Sequence, residues 1–139
     1  MTAREYLDRP ETIRLEIGRK RVRIETLRRL ASRFSARLSD VRVQSSPDPT
    51  RMAAFLAETA DEEQEIRRLE EKWEQALADS ALLIARLPDE RMIRIMEMRY
   101  LDRLPWEEIM DRTDCGATLV YRLHRLALDI LTPPPEVPD

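Results

Sequence analysis

The feature that most constrains this 139-residue chain is its shortage of turn-forming residues, with two glycines and no asparagine. Tight β-hairpins need Asn-Gly, Asp-Gly or Gly-X turns, because their central residues adopt positive φ values. Only Gly18 and Gly116 could supply such a turn, which disfavours a β-sandwich, a β-barrel and a Gly-rich phosphate loop. Leucine and alanine far outnumber valine. The sequence therefore predicts an all-α protein.

A single cysteine and a single histidine limit the available chemistry. Cys115 has no partner for an intrachain disulfide, which favours a reducing compartment, and His124 alone rules out a paired-histidine zinc site. We expect His124 at the surface or facing phosphate, no metal, no cofactor and no enzymatic activity. No apolar run approaches the roughly 18 to 20 residues of a membrane span, and the first residues do not resemble a secretory signal. We therefore expect a cytoplasmic protein with no membrane partner.

Apolar residues spaced alternately by three and four predict a long helix over about 11–38. Only Lys20 interrupts their stripe. Pro10 is expected in the first turn of this helix, where its missing N–H costs nothing, and residues 3–8 are expected to form a separate turn. The stripe consists of Ile13, Ile17, Ile24, Leu27, Ala31, Phe34 and Leu38.

A second stripe predicts another long helix over about 50–87, after a loop at Ser39–Thr50. Asp48 is expected to cap this helix and Pro49 to begin it. The stripe is weak near Thr59 and Glu62. Two such helices fold most simply into an antiparallel coiled-coil-like hairpin over 1–87, paired within one chain or between chains. The second stripe consists of Met52, Phe55, Thr59, Glu62, Ile66, Leu69, Trp73, Ala76, Ser80, Leu83 and Leu87.

The two halves of this region carry opposite charge. Residues 1–42 have a net charge of +6 and residues 43–88 a net charge of −5. One interpretation is a pair of helices with complementary flanks. The other is a basic arm that binds nucleic acid.

Residues 88–131 are predicted to form three short helices, and 132–139 a disordered, proline-rich tail. A tight turn at Thr113–Gly116 separates the last two helices. Trp106 is expected to anchor the core. The first helix is predicted to end near Leu101, the second to span about 105–112 and the third to span about 117–131. The third has a stripe of residues expected to be buried: Val120, Leu123, Ala127 and Ile130. Three short helices with a tight turn before the last are typical of a helix-turn-helix domain.

The segments MRYLDRLPWEEI and VYRLHRLALDIL, on either side of this turn, resemble region four of bacterial sigma factors. The opening AREYL, the arginine-rich first helix, the segment VQSSPDPTRMA and the long acidic second helix resemble small phage transcriptional regulators of the ArpU/RinA type. The resemblance extends from Ala3 to Leu131. It implies a late-gene activator in a bacterium or a phage-infected cell, with double-stranded DNA, RNA polymerase and a second copy of the chain as partners.

The geometry of a helix-turn-helix sends the last helix into the major groove. Its outward face consists of Thr118, Tyr121, Arg122 and Arg125, with Ala117 at the entry, and the resemblance places DNA contacts at these positions. Where region four has Gly and then Ser or Thr in the turn, this chain has Asp114 and Gly116. Asp114 tolerates the left-handed conformation and Gly116 can cap the helix.

Two alternatives remain open. The first is a small-terminase-like DNA packaging protein, which would assemble into a ring. The second is a module that mimics a sigma factor and binds protein without touching DNA.

Overall fold

A computed structural model describes the backbone of residues 1–40 and 49–135, and the side chains of 1–36 and 50–135. Within these ranges the chain is helical and contains no strand, so the predicted all-α fold class is confirmed. The elements are α1 (Ala3–Asp40), α2 (Pro49–Ile84), α3 (Glu90–Met96), a π-helical segment (Glu97–Leu101), α4 (Trp106–Thr113) and α5 (Ala117–Ile130). No helix in these ranges combines the length and the apolar character needed to cross a membrane.

The chain divides into two compact units. The middle unit is Ile13–Lys72, and the terminal unit combines Met1–Thr12 with Trp73–Asp139. This division does not follow the predicted boundary between residues 87 and 88. The first turns of α1 and the last turns of α2 pack with the short C-terminal helices instead.

In the middle unit, α1 and α2 run antiparallel with their apolar stripes facing each other. Five stripe residues are buried: Ile17, Ile24, Leu27, Ile66 and Leu69. Lys20 and Glu62, the polar members of the two stripes, meet as an ion pair with Nζ and Oε2 3.2 Å apart. The predicted weak point of the seam is therefore a charge pair across the two helices.

Basic residues of α1 pair with acidic residues of α2 along the flanks of the middle unit. Arg21 Nη2 lies 2.9 Å from Glu70 Oε1, and two further pairs join Arg23 to Glu58 and Arg28 to Glu63. The opposite charges of the two segments therefore pair as the first interpretation predicted. These pairs are exposed and screened by water, so the buried stripe is the larger source of stability.

α1 begins at Ala3, so the predicted separate turn over residues 3–8 and the helix start near residue 11 are wrong. Thr2 caps the helix, because its Oγ1 accepts a hydrogen bond of 3.1 Å from the Glu5 N–H. Pro10 lies inside the helix and leaves the Tyr6 carbonyl without its usual N–H donor. Arg9 compensates, since its Nε donates to the Tyr6 oxygen at 3.2 Å.

The ends of the long helices also differ from the predicted ones. α1 continues to Asp40, and α2 ends at Ile84 rather than near residue 87. α2 begins at Pro49, as predicted. The rest of the predicted loop (41–48), including the Asp48 cap, lies outside the described residues, as do the Leu38 side chain and residues 136–139 of the predicted tail.

The core of the terminal unit joins segments from both ends of the sequence. Side chains with no exposure come from α1, α2, α3, α4 and α5, so every helix of the unit contributes to one cluster. They are Leu7, Ile84, Ile95, Met96, Ile109, Val120 and Ala127. Arg103 adds ion pairs from the connection before α4 to the beginning of α1, with Asp8 at 3.3 Å and Glu11 at 3.5 Å.

Candidate nucleic-acid interface

The turn between α4 and α5 has the conformation that its residues predicted. Asp114 ends α4 in the left-handed region, with φ 54° and ψ 36°. Gly116 is the N-cap of α5 in an extended conformation, with φ −75° and ψ 166°. Both expectations for this turn are confirmed. Because Gly116 has no side chain, the first N–H groups of α5 lack a side-chain acceptor.

One face of α5 packs against the terminal-unit core. Val120, Leu123 and Ala127 are buried, as predicted. The prediction for Ile130 is wrong, because it is 48% exposed and Leu131 is buried in its place. The helix ends at Ile130 and Leu131 is extended, with ψ 130°, so the helical spacing no longer applies there.

All five predicted DNA-contacting residues lie exposed on α5. They are Ala117, Thr118, Tyr121, Arg122 and Arg125. Tyr121 and Arg125 share one cleft with residues of α1 and α4, whereas the other three do not line it. The face thus combines two guanidinium groups and two hydroxyl groups on a helix held from behind by the core.

Trp106 connects this face to the core. It is half-buried, and its ring meets the Tyr121 ring edge-on with centroids 5.2 Å apart. Arg99 lies over the Trp106 ring at 4.3 Å and donates from Nη1 to the Leu104 carbonyl at 3.2 Å. Trp106 therefore packs against the core as predicted, and its ring also contacts the exposed Tyr121.

His124 is buried, so the prediction of a surface or phosphate-facing histidine is wrong. Its Nε2 shares a hydrogen bond of 2.7 Å with the Tyr100 hydroxyl, and its ring lies edge-on to Trp106 with centroids 4.8 Å apart. Burial, together with the smaller effects of the positive charges of Arg4 and Arg99, lowers the pKa of His124 to about 4, and Asp8 opposes this shift. His124 is therefore neutral at pH 7 and adds no positive charge to the face.

The surface of α4 is acidic, in contrast to α5. Glu107, Asp111 and Asp114 are exposed. Glu108 is paired with Arg112, with Oε1 and Nη2 2.7 Å apart. Acidic residues suit the first turn of a helix, but at this position they would repel a DNA phosphate.

Arg4, which was not among the predicted site residues, lines the cleft that contains Tyr121 and Arg125. A signal for its position was present. Thr2 and Glu5 have the spacing of a capping box, and Tyr6 and Leu7 follow as apolar residues. That pattern marks a helix start near residue 3, which carries Arg4 into the first turn.

Among the described residues, no group of three or more His, Cys, Asp or Glu side chains could hold a metal ion. Comparisons with family models, curated proteins and solved structures found no match to this chain.

Proposed function

We propose that this chain is a DNA-binding transcriptional regulator of the phage or prophage type, a late-gene activator that also contacts RNA polymerase. In this proposal α4, the turn at 114–116 and α5 form a helix-turn-helix similar to region four of sigma factors. The observation that carries the proposal is the two-sided character of α5. Val120 and Ala127 have no exposure, whereas Arg122 and Arg125 are exposed on the other side.

The chemistry of this face suits a DNA groove. Arginine pairs in bidentate fashion with guanine edges or contacts phosphates, and the hydroxyl groups of Thr118 and Tyr121 add hydrogen bonds. The uncapped N–H groups at the start of α5 are donors suited to a phosphate. A recognition helix must be held rigidly, and the burial of the rear face of α5 against the core supports that role.

The decisive experiment is a selection from random duplex DNA at low salt, with wild-type protein and an Arg122→Ala/Arg125→Ala variant. Both side chains are exposed, so circular dichroism should show an unchanged fold. The matched control is Arg19→Ala/Arg67→Ala, which removes two exposed arginines from the middle unit. Wild type and control should enrich the same motif, and the α5 variant should enrich none.

Salt dependence adds a second readout. If Arg122 and Arg125 contact phosphates, their loss should make the slope of log K against log salt shallower by about 1.8, whereas loss of base contacts should relax sequence preference with little change in slope. A two-fold symmetric motif would show that two copies bind together, because half-site spacing follows the symmetry of the protein. Absence of any enriched motif, with binding that disappears on modest salt addition, would contradict sequence-specific regulation.

The acidic surface of α4 favours a second candidate, a sigma-mimicking module that binds protein only. Three exposed carboxylates, on Glu107, Asp111 and Asp114, lie where a DNA-bound helix-turn-helix approaches phosphates. Such a module should bind RNA polymerase or a sigma factor equally well with or without the Arg122→Ala/Arg125→Ala change. Polymerase binding without any DNA selection would therefore favour this candidate over the first.

A further inference from the structure

A cleft of about 470 Å³ lies beside the exposed face of α5 in the terminal unit. Arg4 of α1 and Arg125 of α5 both line it. The rings of Trp106 and Tyr121 contribute aromatic walls. The cleft is therefore continuous with the face proposed to contact DNA, since Tyr121 and Arg125 belong to both.

The charge of the cleft is positive at pH 7. Arg4 and Arg125 are exposed, and neither guanidinium forms a hydrogen bond or ion pair within the described part of the chain. Asp129 is the one carboxylate among the described lining residues, and His124 is neutral. Two cations and one anion leave a net charge of +1 in a cleft that is bordered by aromatic rings.

The position of Arg4 is fixed by the fold. Its neighbours Ala3, Tyr6 and Leu7 are buried, and the Thr2 cap holds the first turn of α1. A cation near a helix N-terminus opposes the helix dipole at a cost of about 0.3 to 1 kcal/mol. Helix stability therefore does not explain an arginine at this position, whereas an anion bound in the cleft would.

We infer that Arg4 and Arg125 form a clamp for one phosphate of the DNA backbone, so that the start of α1 extends the surface of α5 onto the duplex. The inference rests on the proposed function, and it adds Arg4 as a contact residue and a backbone phosphate as the DNA group that is bound. The phosphate is assigned to the duplex because the cleft adjoins the face of α5 that is proposed to contact DNA. Asp129 opposes the phosphate and limits the affinity of the clamp.

The test is binding of a fluorescently labelled random-sequence duplex, followed by anisotropy at several salt concentrations. Arg4→Ala should weaken binding about three- to tenfold and reduce the salt slope by about 0.9. The matched control is Arg86→Ala, an exposed arginine of the same unit that does not line the cleft, and it should leave the slope unchanged. Asp129→Asn should strengthen binding.

A double-mutant cycle tests the shared phosphate directly. If both arginines contact the same phosphate, Arg4→Ala should reduce the affinity for the duplex less in the Arg125→Ala background than in the wild type. Equal effects of Arg4→Ala and Arg86→Ala, with wild-type binding intact, would overturn the clamp but not the proposed function. Failure of the wild type to bind any duplex would overturn both. Arg4-dependent saturation by inorganic phosphate, with no Arg4 effect on DNA, would assign the cleft to a free anion and overturn the clamp.

Discussion

The buried histidine makes the stability of this protein depend on pH in a way that one substitution can isolate. His124 shares its Nε2 hydrogen bond with Tyr100 and is held neutral with a pKa of about 4. In the unfolded chain the same imidazole takes up a proton near pH 6.5. Acidification from about pH 7 to pH 5 therefore protonates the unfolded state while the folded state stays neutral, and the free energy of unfolding decreases.

The magnitude follows from the two pKa values. Protonation stabilises the unfolded state relative to the folded state by about 1.36 kcal/mol for each pH unit below 6.5. Over the roughly 1.5 units between pH 6.5 and pH 5, the free energy of unfolding therefore falls by about 2 kcal/mol. This contribution is fully present above pH 6.5 and is lost as the pH falls towards 4. Most carboxylates titrate below this window, so the histidine dominates it.

Urea denaturation of wild type and His124→Phe at both pH values measures the effect. The wild type should lose about 2 kcal/mol between pH 7 and pH 5, and the variant should lose much less, although loss of the Tyr100 hydrogen bond weakens it at both values. Because the chain has one histidine, its imidazole NMR signal reports the pKa without ambiguity. A measured pKa near 6.5, or equal pH dependence in both proteins, would refute this reasoning.

Four further predictions can be checked by urea denaturation at pH 7. Leu7→Ala should destabilise by about 2 to 5 kcal/mol, because Leu7 has no exposure in the terminal-unit core, and a loss below about 1 kcal/mol would contradict the docking of α1 there. Ser80→Ala should stabilise by about 1 kcal/mol, because the buried Ser80 Oγ has no hydrogen-bond partner within the described chain; destabilisation would mean that it has one in solution. Replacement of both Lys20 and Glu62 by leucine should leave stability unchanged or raise it, whereas Glu62→Ala alone should lower it. A double variant less stable than Glu62→Ala would contradict the pairing of these two residues across the seam. Asp114→Gly should stabilise by about 0.5 to 1 kcal/mol by relieving the positive φ, and a loss of stability would contradict backbone strain at this turn.

The pattern of residues within a few helical turns determined much of the structure of this protein. The all-α class follows from the lack of turn residues, and the buried seam positions Ile17 and Ile66 follow from helical spacing. The conformations of Asp114 and Gly116 follow from what each residue type tolerates. The exposure of Arg122 and Arg125 follows from the opposite, apolar face of α5. Each of these depends on residues within a few turns of one another, which a sequence displays directly.

Only the tertiary structure decided which segments meet across long separations. The first turns of α1 join a core whose other members begin more than 70 residues later, and Leu7 is buried for that reason. His124 is buried because Tyr100 and Trp106 come together around it, whereas its own helix position marked it only as a neighbour of Leu123. Arg4 reaches the α5 face through the same long-range packing. Helical periodicity specifies which side of a helix is apolar, but the partner that covers it depends on how all the helices pack together.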